Sequence, residues 1–203
     1  MNDIDPAEPG RRERKRLQQL DHLADVAWEL FEAEGYDAVT MERIAAVADV
    51  AKGTLYKHFP VKEALLRHRF HRELREGQAE GFRLLSLEQP GRPRLQRFLA
   101  SCAEWSARNR RYLLPYLRFR LSDPGRPAGS AERSGLEQIF TSLIADGQST
   151  GCLRSDVAAP VLAVYLEFLY VAAMLRWLTG EAESLSAEID IMLDVFLGGL
   201  ELR

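Results

Sequence analysis

The chain has 203 residues, of which 46% are hydrophobic and 28% are charged, so it can bury a core and is not a disordered chain. Its net charge of -3 excludes a nucleic-acid-binding protein of the uniformly basic kind. The cations are unevenly distributed, however, because Lys15, Lys52, Lys57 and Lys62 are the only lysines and all lie in the first third of the sequence.

Targeting and membrane signals are weak. Residues 1–10 carry acids and prolines where a signal peptide would need basic residues and then an apolar run, so we expect a disordered tail there. The longest apolar stretch, 157–178, is interrupted by Glu167 and Arg176, which favours a buried interface helix over a membrane span. The two cysteines have no metal-ligand or disulfide-framework spacing. We therefore expect a cytoplasmic protein without membrane contact.

The first part of the chain predicts three helices. A basic run at 11–16 leads into a helix with apolar residues at three- and four-residue steps, which stops at Gly35. Thr40 is placed to cap a second, short helix. A tight turn at Asp49 leads to a third helix, which ends at Pro60 because proline lacks an amide hydrogen and disfavours helix in the residue before it.

Helical patterns continue to the end of the sequence. The punctuating segments are 89–93, 122–130, 147–151 and 179–180, and 122–130 is the predicted disordered loop. The helices between them are expected at about 61–87, 94–108, 110–121, 131–146, 156–178 and 184–201. Because no run alternates with period two and β-branched enrichment, the predicted fold is all-α.

Residues 40–59 carry the most informative pattern, two short helices joined by a tight turn. Such a pair predicts a helix-turn-helix, whose second helix can lie in the major groove of DNA. Leu55 and Phe59, one turn apart, are expected to point inward, and Gly53 suits a close approach of the backbone to another surface. The outward donors and planar ring are Lys52, Thr54, Tyr56, Lys57 and His58. A solvated helical hairpin with surface lysines would show the same spacing.

A set of residues at fixed offsets spans this motif: Gly35-Tyr36, Thr40, Ile44-Ala45, Ala48, Val50, residues 52–59 and residues 62–65. Over roughly residues 20–66 the chain thereby resembles the TetR-type (tetracycline-repressor-like) transcriptional regulators. Asp49 and Ala51 depart from that pattern, since a turn glycine and a capping serine are common there. The resemblance implies a three-helix DNA-binding domain over 11–60 and a larger helical effector-binding and dimerisation domain over 61–203.

The resemblance also implies roles for single residues. The residues expected to contact phosphates are Thr40, Lys52, Tyr56, His58 and Lys62. Thr54 and Lys57 are expected to contact base edges, and Gly53 to allow a close approach of the backbone. The arginines at 11, 12, 14 and 16 are placed to contact an adjacent minor groove or the backbone, although a merely solubilising run is the alternative.

The apolar residues of the last two helices recur in a pattern that predicts an intermolecular four-helix bundle. Their apolar residues are Val161, Val164, Tyr165, Phe168, Leu169, Ala172, Leu175 and Leu178 on one helix, and Ile189, Met192, Leu193, Phe196, Leu197 and Leu200 on the other. The same pattern would result if these residues formed a core within a single chain. A helix-turn-helix that binds a palindromic operator in double-stranded DNA needs two copies, which favours a homodimer through these helices.

The sequence also predicts a ligand pocket for an apolar or amphipathic small-molecule effector, on fewer observations. The candidate lining residues are Trp105, Tyr112, Tyr116, Phe119, Phe140, Tyr170, Met174 and Trp177. Arg118, Arg120 and Arg176 lie among them and would suit an acidic group on the ligand, although surface ion pairs explain them equally.

Catalytic and metal chemistry find little support in the sequence. His68, His71 and Glu73 have no further ligand at useful spacing, so no metal, cofactor or enzyme activity is predicted. The function implied is therefore a dimeric transcriptional regulator, most simply a repressor that an effector releases from its operator. The alternative is a constitutive DNA-binding regulator whose C-terminal helices serve only dimerisation or protein partners.

Overall fold

The computed structural model describes residues 10–122 and 135–198. All regular elements in these two ranges are α-helices, as the sequence predicts. In chain order they are α1 (Arg11–Glu34), α2 (Met41–Val47), α3 (Lys52–His58), α4 (Lys62–Leu85), α5 (Arg92–Arg108), α6 (Arg110–Leu121), α7 (Leu136–Ser149), α8 (Ala159–Leu178) and α9 (Leu185–Gly198). The chain divides into two compact units between Phe70 and His71, within α4.

In the N-terminal unit, α1 provides one buried face. Its buried residues, Leu23, Ala24, Ala27, Leu30 and Phe31, keep the three- and four-residue steps of an amphipathic helix. The helix ends at Gly35, where φ is 88°, a left-handed conformation that glycine adopts without steric cost. The predicted stop signal is thus confirmed.

The two short helices of the same unit depend on a cap, a turn and two buried side chains. The Oγ1 atom of Thr40 accepts a hydrogen bond of 3.1 Å from the backbone amide of Arg43 at the start of α2. Asp49 has a φ of 52° and forms the left-handed turn that follows. Because a helix of seven residues is not stable alone, α3 is held by the inward side chains of Leu55 and Phe59, both buried.

The first turns of α4 are attached to α1 by polar contacts. The Nε2 atom of His68 lies 2.7 Å from Oδ1 of Asp21, and Nη1 of Arg69 donates to Oδ1 of Asp25 at 3.0 Å. The Arg69 guanidinium also stacks over the ring of Trp28, 4.4 Å from its centroid. These contacts fix the start of α4 to α1, while α2 packs against α1 and α3 packs against α2.

In the C-terminal unit, α8 packs against α6, α7 and α9, and α5 packs against α6, α7 and α9. The largest fully buried side chains of this unit are Leu95, Leu99, Tyr112, Leu113, Leu117 and Phe140. Among the described helices, α8 alone is long and apolar enough to cross a membrane, but 44% of its apolar stretch is buried inside the protein. A core helix of a soluble protein meets the same criteria.

One helix end differs from the prediction. The break expected at 147–151 begins later, because α7 continues through Gly147 to Ser149. A β-carbon at Gly147 would lie 2.6 Å from Cδ1 and 2.8 Å from Cγ of Leu153, so this glycine permits a close approach within the helix and does not end it. The chain turns only afterwards, at Gly151, where φ is 74°.

Some predictions fall on residues outside the described ranges. These are the disordered tail over residues 1–9, the disordered loop from Asp123 to Ser130, the first residues of the helix expected at 131–146 and Leu200 of the last helix.

Candidate nucleic-acid interface and buried polar cluster

One side of α3 faces solvent. Its exposed residues are Lys52, Gly53, Tyr56 and Lys57, while Thr54 and His58 flank them and are half-buried. This division follows the helical period, since Leu55 points into the N-terminal unit from the opposite side. The structure therefore brings together the donors and the ring that the sequence predicted to point outward.

Gly53 lies in the middle of this exposed side. A β-carbon built there would have nothing within 4 Å. The protein's own packing therefore does not require a glycine at this position, although glycine weakens a helix. An approaching molecule, in contrast, would reach the backbone of α3 at this point.

Tyr56 has a partner that the sequence reading missed. Its hydroxyl donates a hydrogen bond of 3.1 Å to Oε1 of Glu42 on α2. The pKa of Glu42 is lowered by a hydrogen bond from its own backbone amide, by the hydrogen bond from Tyr56 and by the charge of Lys52, so this carboxylate is ionised. The sequence does indicate an acidic residue here, because Glu42 occupies the first turn of α2, where acidic residues are favoured, but it does not indicate the contact with Tyr56.

Thr40 and Lys62 are also engaged within the N-terminal unit. The Thr40 oxygen accepts the capping bond, and its own hydrogen remains able to donate. The Nζ atom of Lys62 donates to the backbone oxygen of Tyr36 at 2.7 Å and lies 4.4 Å from the centroid of the Tyr36 ring. The Tyr36 hydroxyl in turn donates to Glu63 at 2.8 Å. Lys62 thus has a structural role beside any contact with phosphate.

The basic run at 11–16 forms the first turns of α1. Its cations are exposed, and Nη1 of Arg16 donates to Oε1 of Glu13 at 3.0 Å. The run is therefore a helical surface from its first residue, whereas the sequence reading placed it before the helix.

The predicted ligand residues divide by burial. Trp105 and Phe119 are half-buried, and the other six, Tyr112, Tyr116, Phe140, Tyr170, Met174 and Trp177, are buried. Phe140 packs edge-on against Phe98, with the ring centroids 5.6 Å apart. Trp177 lies under the guanidinium of Arg110, and Nε1 of Trp105 donates to Glu73 at 2.9 Å.

Tyr116 and Tyr170 belong to two neighbouring sets of hydrogen-bonded side chains, which together we call the buried polar cluster. His71 Nε2 and the Tyr116 hydroxyl are 3.1 Å apart, and the hydroxyls of Ser106 and Tyr170 are 3.2 Å apart. Arg120 donates to Glu167 and also to Tyr116. The cluster comprises His71, Ser106, Tyr116, Arg120, Glu167 and Tyr170 from α4, α5, α6 and α8. Burial raises the pKa of Tyr170, so its hydroxyl stays protonated.

Both histidines considered for metal binding contact other side chains. His68 contacts Asp21 in the N-terminal unit, and His71 contacts Tyr116 in the C-terminal unit. Within residues 10–122 and 135–198, no three His, Cys, Asp or Glu side chains come together as a metal site would require.

Apolar side chains remain exposed on α8 and α9. Tyr165 is 62% and Phe168 60% exposed, and Val161 and Ala172 lie on the same side of α8. The other residues predicted for this face are half-buried: Val164, Leu169, Leu175 and Leu178.

The predicted face of α9 needs a correction. Ile189, Met192 and Leu193 are buried inside the chain, and Phe196 and Leu197 are half-buried. The exposed apolar residues of α9 are Ile191 and Val195 instead. Both sets recur at helical steps, and only the packing of α9 against α5 and α8 decides which of them points inward.

The helix-turn-helix region identifies the family. Residues 23–68 match the model of a family described as bacterial regulatory proteins, tetR family. The chain is a TetR-type transcriptional regulator.

Relatives along most of the chain agree with this assignment. The transcriptional repressor DhaR of Mycobacterium sp. (strain GP1) is 29% identical over 165 residues, which cover 76% of this chain and 80% of DhaR. The transcriptional repressor KstR of Mycolicibacterium smegmatis is 28% identical over 196 residues, which cover 95% of this chain and 90% of KstR. The family and these relatives are DNA-binding transcriptional regulators of the helix-turn-helix type and not enzymes.

A solved TetR-family structure shares the fold. It is Thermus thermophilus FadR, a TetR-family transcriptional repressor, in complex with lauroyl-CoA. It is 27% identical, with a TM-score of 0.77, and the match covers 91% of this chain and 96% of that one. The all-α architecture with an N-terminal helix-turn-helix is therefore that of TetR-type regulators.

Proposed function

We propose that the protein is a cytoplasmic, homodimeric repressor that binds a palindromic operator and leaves it when a small-molecule effector binds. The outward side of α3 carries this proposal. It presents Lys52, Tyr56 and Lys57 around Gly53, where nothing occupies the space of a β-carbon. A helix with cations, a planar donor and an open backbone suits the major groove of DNA.

The proposed roles divide between phosphates and bases. Lys52, Tyr56 and His58 would bind phosphates, and so would Thr40 through its remaining hydroxyl hydrogen. Lys62 would use ammonium hydrogens beyond the one given to Tyr36. Thr54 and Lys57 would contact base edges. We assign DNA binding to residues 11–60 and effector binding with dimerisation to 61–203.

Titration of labelled DNA tests the DNA-binding part. A palindrome selected from random DNA should bind saturably, with an affinity that falls as salt rises. Tyr56→Ala should weaken binding to all sequences alike, whereas Lys57→Ala should also relax the base preference. Unchanged base preference in Lys57→Ala would show that Lys57 does not read bases, and absence of saturable binding would refute the proposal.

The apolar sides of α8 and α9 support dimerisation. Tyr165 and Phe168 on α8 and Ile191 and Val195 on α9 are large apolar side chains left in solvent by a single chain. Such surfaces mark interaction sites. A second copy is the partner that a palindromic operator requires, and two helices from each copy would complete a four-helix bundle.

The C-terminal unit supports an effector of amphipathic chemistry. It joins apolar candidate residues such as Met174 and Trp177 to the hydroxyls of Tyr116 and Tyr170 within one buried region. The related FadR of T. thermophilus was solved with lauroyl-CoA, which combines an apolar chain with anionic groups. We propose an effector of this kind for the present protein.

Addition of lauroyl-CoA to the preformed DNA complex tests the effector part. Release should be saturable, and the coupling between effector and DNA is expected at about 1–3 kcal/mol, or roughly 5- to 150-fold in affinity. Coenzyme A without the acyl chain is the control and should release little DNA. If neither lauroyl-CoA nor other amphipathic anions bind, the protein is the constitutive regulator that forms the alternative.

A further inference from the structure

Glu167 is an unusual residue for its position in the fold. It lies in the middle of α8, the most apolar of the described helices, and the residue is buried. Its neighbours along the inward side of α8, Ala163, Leu166, Tyr170 and Met174, bring no charge. Buried carboxylates are rare unless they have a specific partner, and here the partner is Arg120 of α6.

The ion pair is not explained by stability alone. Two charges withdrawn from water lose solvation that their mutual attraction often fails to recover, and apolar side chains of the same size commonly serve a core at least as well. The Arg120–Glu167 pair recovers part of this loss through Tyr116, which accepts from Arg120 and contacts His71. A buried charge pair that is held in this way suggests a role beyond packing.

The two partners differ in how accessible they are. The Glu167 side chain is 8% exposed, whereas the Arg120 side chain, in the last turn of α6, is 25% exposed. Arg120 is therefore the more accessible partner for an incoming anion. A guanidinium binds carboxylate and phosphate groups with the same paired donors that it uses for Glu167.

Apolar residues continue from this pair along α8. Tyr170, Met174 and Trp177 follow Glu167 on the buried side at three- and four-residue steps. From Glu167 to Trp177 the helix rises about 15 Å, at 1.5 Å per residue. A polar end at the ion pair and an apolar stretch beyond it fit an amphipathic anion whose charged group lies at Arg120.

We propose that the effector's anionic group, a carboxylate or a phosphate, binds Arg120 in place of Glu167. This inference rests on the proposed function, because it assumes that an effector binds the C-terminal unit. Displacement leaves the buried Glu167 without its counter-charge, which favours a shift of α8. Phe168, the next residue, lies on the exposed side of α8 that we assign to the dimer, so the shift reaches the interface.

Three matched probes test the charge requirement on the full-length protein. Laurate, lauroyl-CoA and dodecanol share a twelve-carbon chain and differ in the group at its end. Calorimetry should show that laurate or lauroyl-CoA binds at least about tenfold more tightly than neutral dodecanol. Binding of laurate assigns the carboxylate, and binding of lauroyl-CoA alone assigns the phosphates. Equal binding of dodecanol overturns the inference but leaves the effector proposal intact.

Two variants should change anion affinity in opposite directions. Arg120→Met removes the guanidinium and should weaken anion binding about tenfold or more, with dodecanol unaffected. Glu167→Gln removes the competing charge and should strengthen anion binding. A merely structural ion pair would weaken binding in both variants, and that result overturns the inference.

Thermal unfolding of each variant shows whether it is folded. If Arg120→Met does not fold, the sign of the Glu167→Gln effect decides. If none of the three probes binds the wild-type protein while the operator still does, the effector part of the proposed function fails together with the inference.

Discussion

At residue 53, the exposed side of α3 lacks a side chain, and the protein leaves open the space that one would occupy. Folding and binding therefore make opposite demands on this position. Alanine would stabilise the helix, whereas its methyl group would weaken the binding of DNA that approaches the backbone of α3.

We expect Gly53→Ala to raise the free energy of unfolding by up to about 1 kcal/mol and to weaken operator binding about tenfold or more. Chemical denaturation and DNA titration measure the two effects. Gly81→Ala in α4 is the matched control, since its β-carbon would also meet nothing within 4 Å, and it should stabilise without changing DNA affinity. If Gly53→Ala binds the operator as well as wild type does, the backbone of α3 does not approach DNA closely.

Glu42 is the second residue with a measurable consequence. Its carboxylate accepts from Tyr56 beside the proposed phosphate contacts, where a negative charge opposes DNA. Glu42→Gln keeps an acceptor for Tyr56 and removes the charge, so DNA affinity should rise a few-fold at low salt and less at high salt. Glu104→Gln, on the exposed side of α5, changes the net charge equally and should have a smaller effect. An equal gain in both variants would mean that only net charge matters.

At the scale of elements, Gly147 lies inside α7 and allows the side chain of Leu153, which follows the helix, to pack closely against it. A β-carbon there would collide with Leu153, both Cγ and Cδ1 being within 3 Å. Gly147→Ala should therefore lower the free energy of unfolding by about 1–3 kcal/mol, the usual cost of overpacking. Thermal and chemical unfolding measure it, and Gly81→Ala, which should not destabilise, again serves as the control. A neutral or stabilising Gly147→Ala would show that Leu153 moves aside without cost.

Sequence reasoning was strongest where a local device determines the conformation. The Thr40 cap, the stop at Gly35 and the inward Leu55 each depend on a side chain or a backbone preference that acts within a few residues. It failed where two solutions share one period. On α9, Ile189 with Met192 and Ile191 with Val195 both recur at helical steps, and the contacts with α5 and α8, which no local pattern contains, decide between them.

The same distinction explains what was missed in the candidate sites. Glu42 and Tyr56 are fourteen positions apart, and Arg120 and Glu167 forty-seven, so that neither pair has a spacing that identifies it. In the sequence, Arg120 is only a charge among aromatic residues. Its pairing with a carboxylate in the apolar α8 depends on the packing of α6 against α8, which no local pattern contains.

At the scale of the whole molecule, the proposed dimer depends on the exposed side of α8. Phe168→Glu places a charge on that side and should convert the protein to a folded monomer with much weaker operator binding, since central aromatic residues contribute about 2 kcal/mol or more to interfaces. Light scattering with chromatography measures the mass, and circular dichroism the helix content. Leu87→Glu is the control, because Leu87 is 76% exposed but lies after α4. A dimeric Phe168→Glu variant would place the interface elsewhere.

The contacts of Lys62 also affect how the protein responds to chemical labelling. Its ammonium is hydrogen-bonded to the Tyr36 carbonyl and covered by the Tyr36 ring, whereas Lys15, Lys52 and Lys57 are exposed. An amine-acylating reagent should therefore modify those three lysines first and Lys62 slowly, and mass spectrometry of the peptides would show the order. Since no lysine follows residue 62, every modified side chain reports on the N-terminal unit. Bound operator should protect Lys52 and Lys57, so a covalent footprint can map the DNA interface without any substitution.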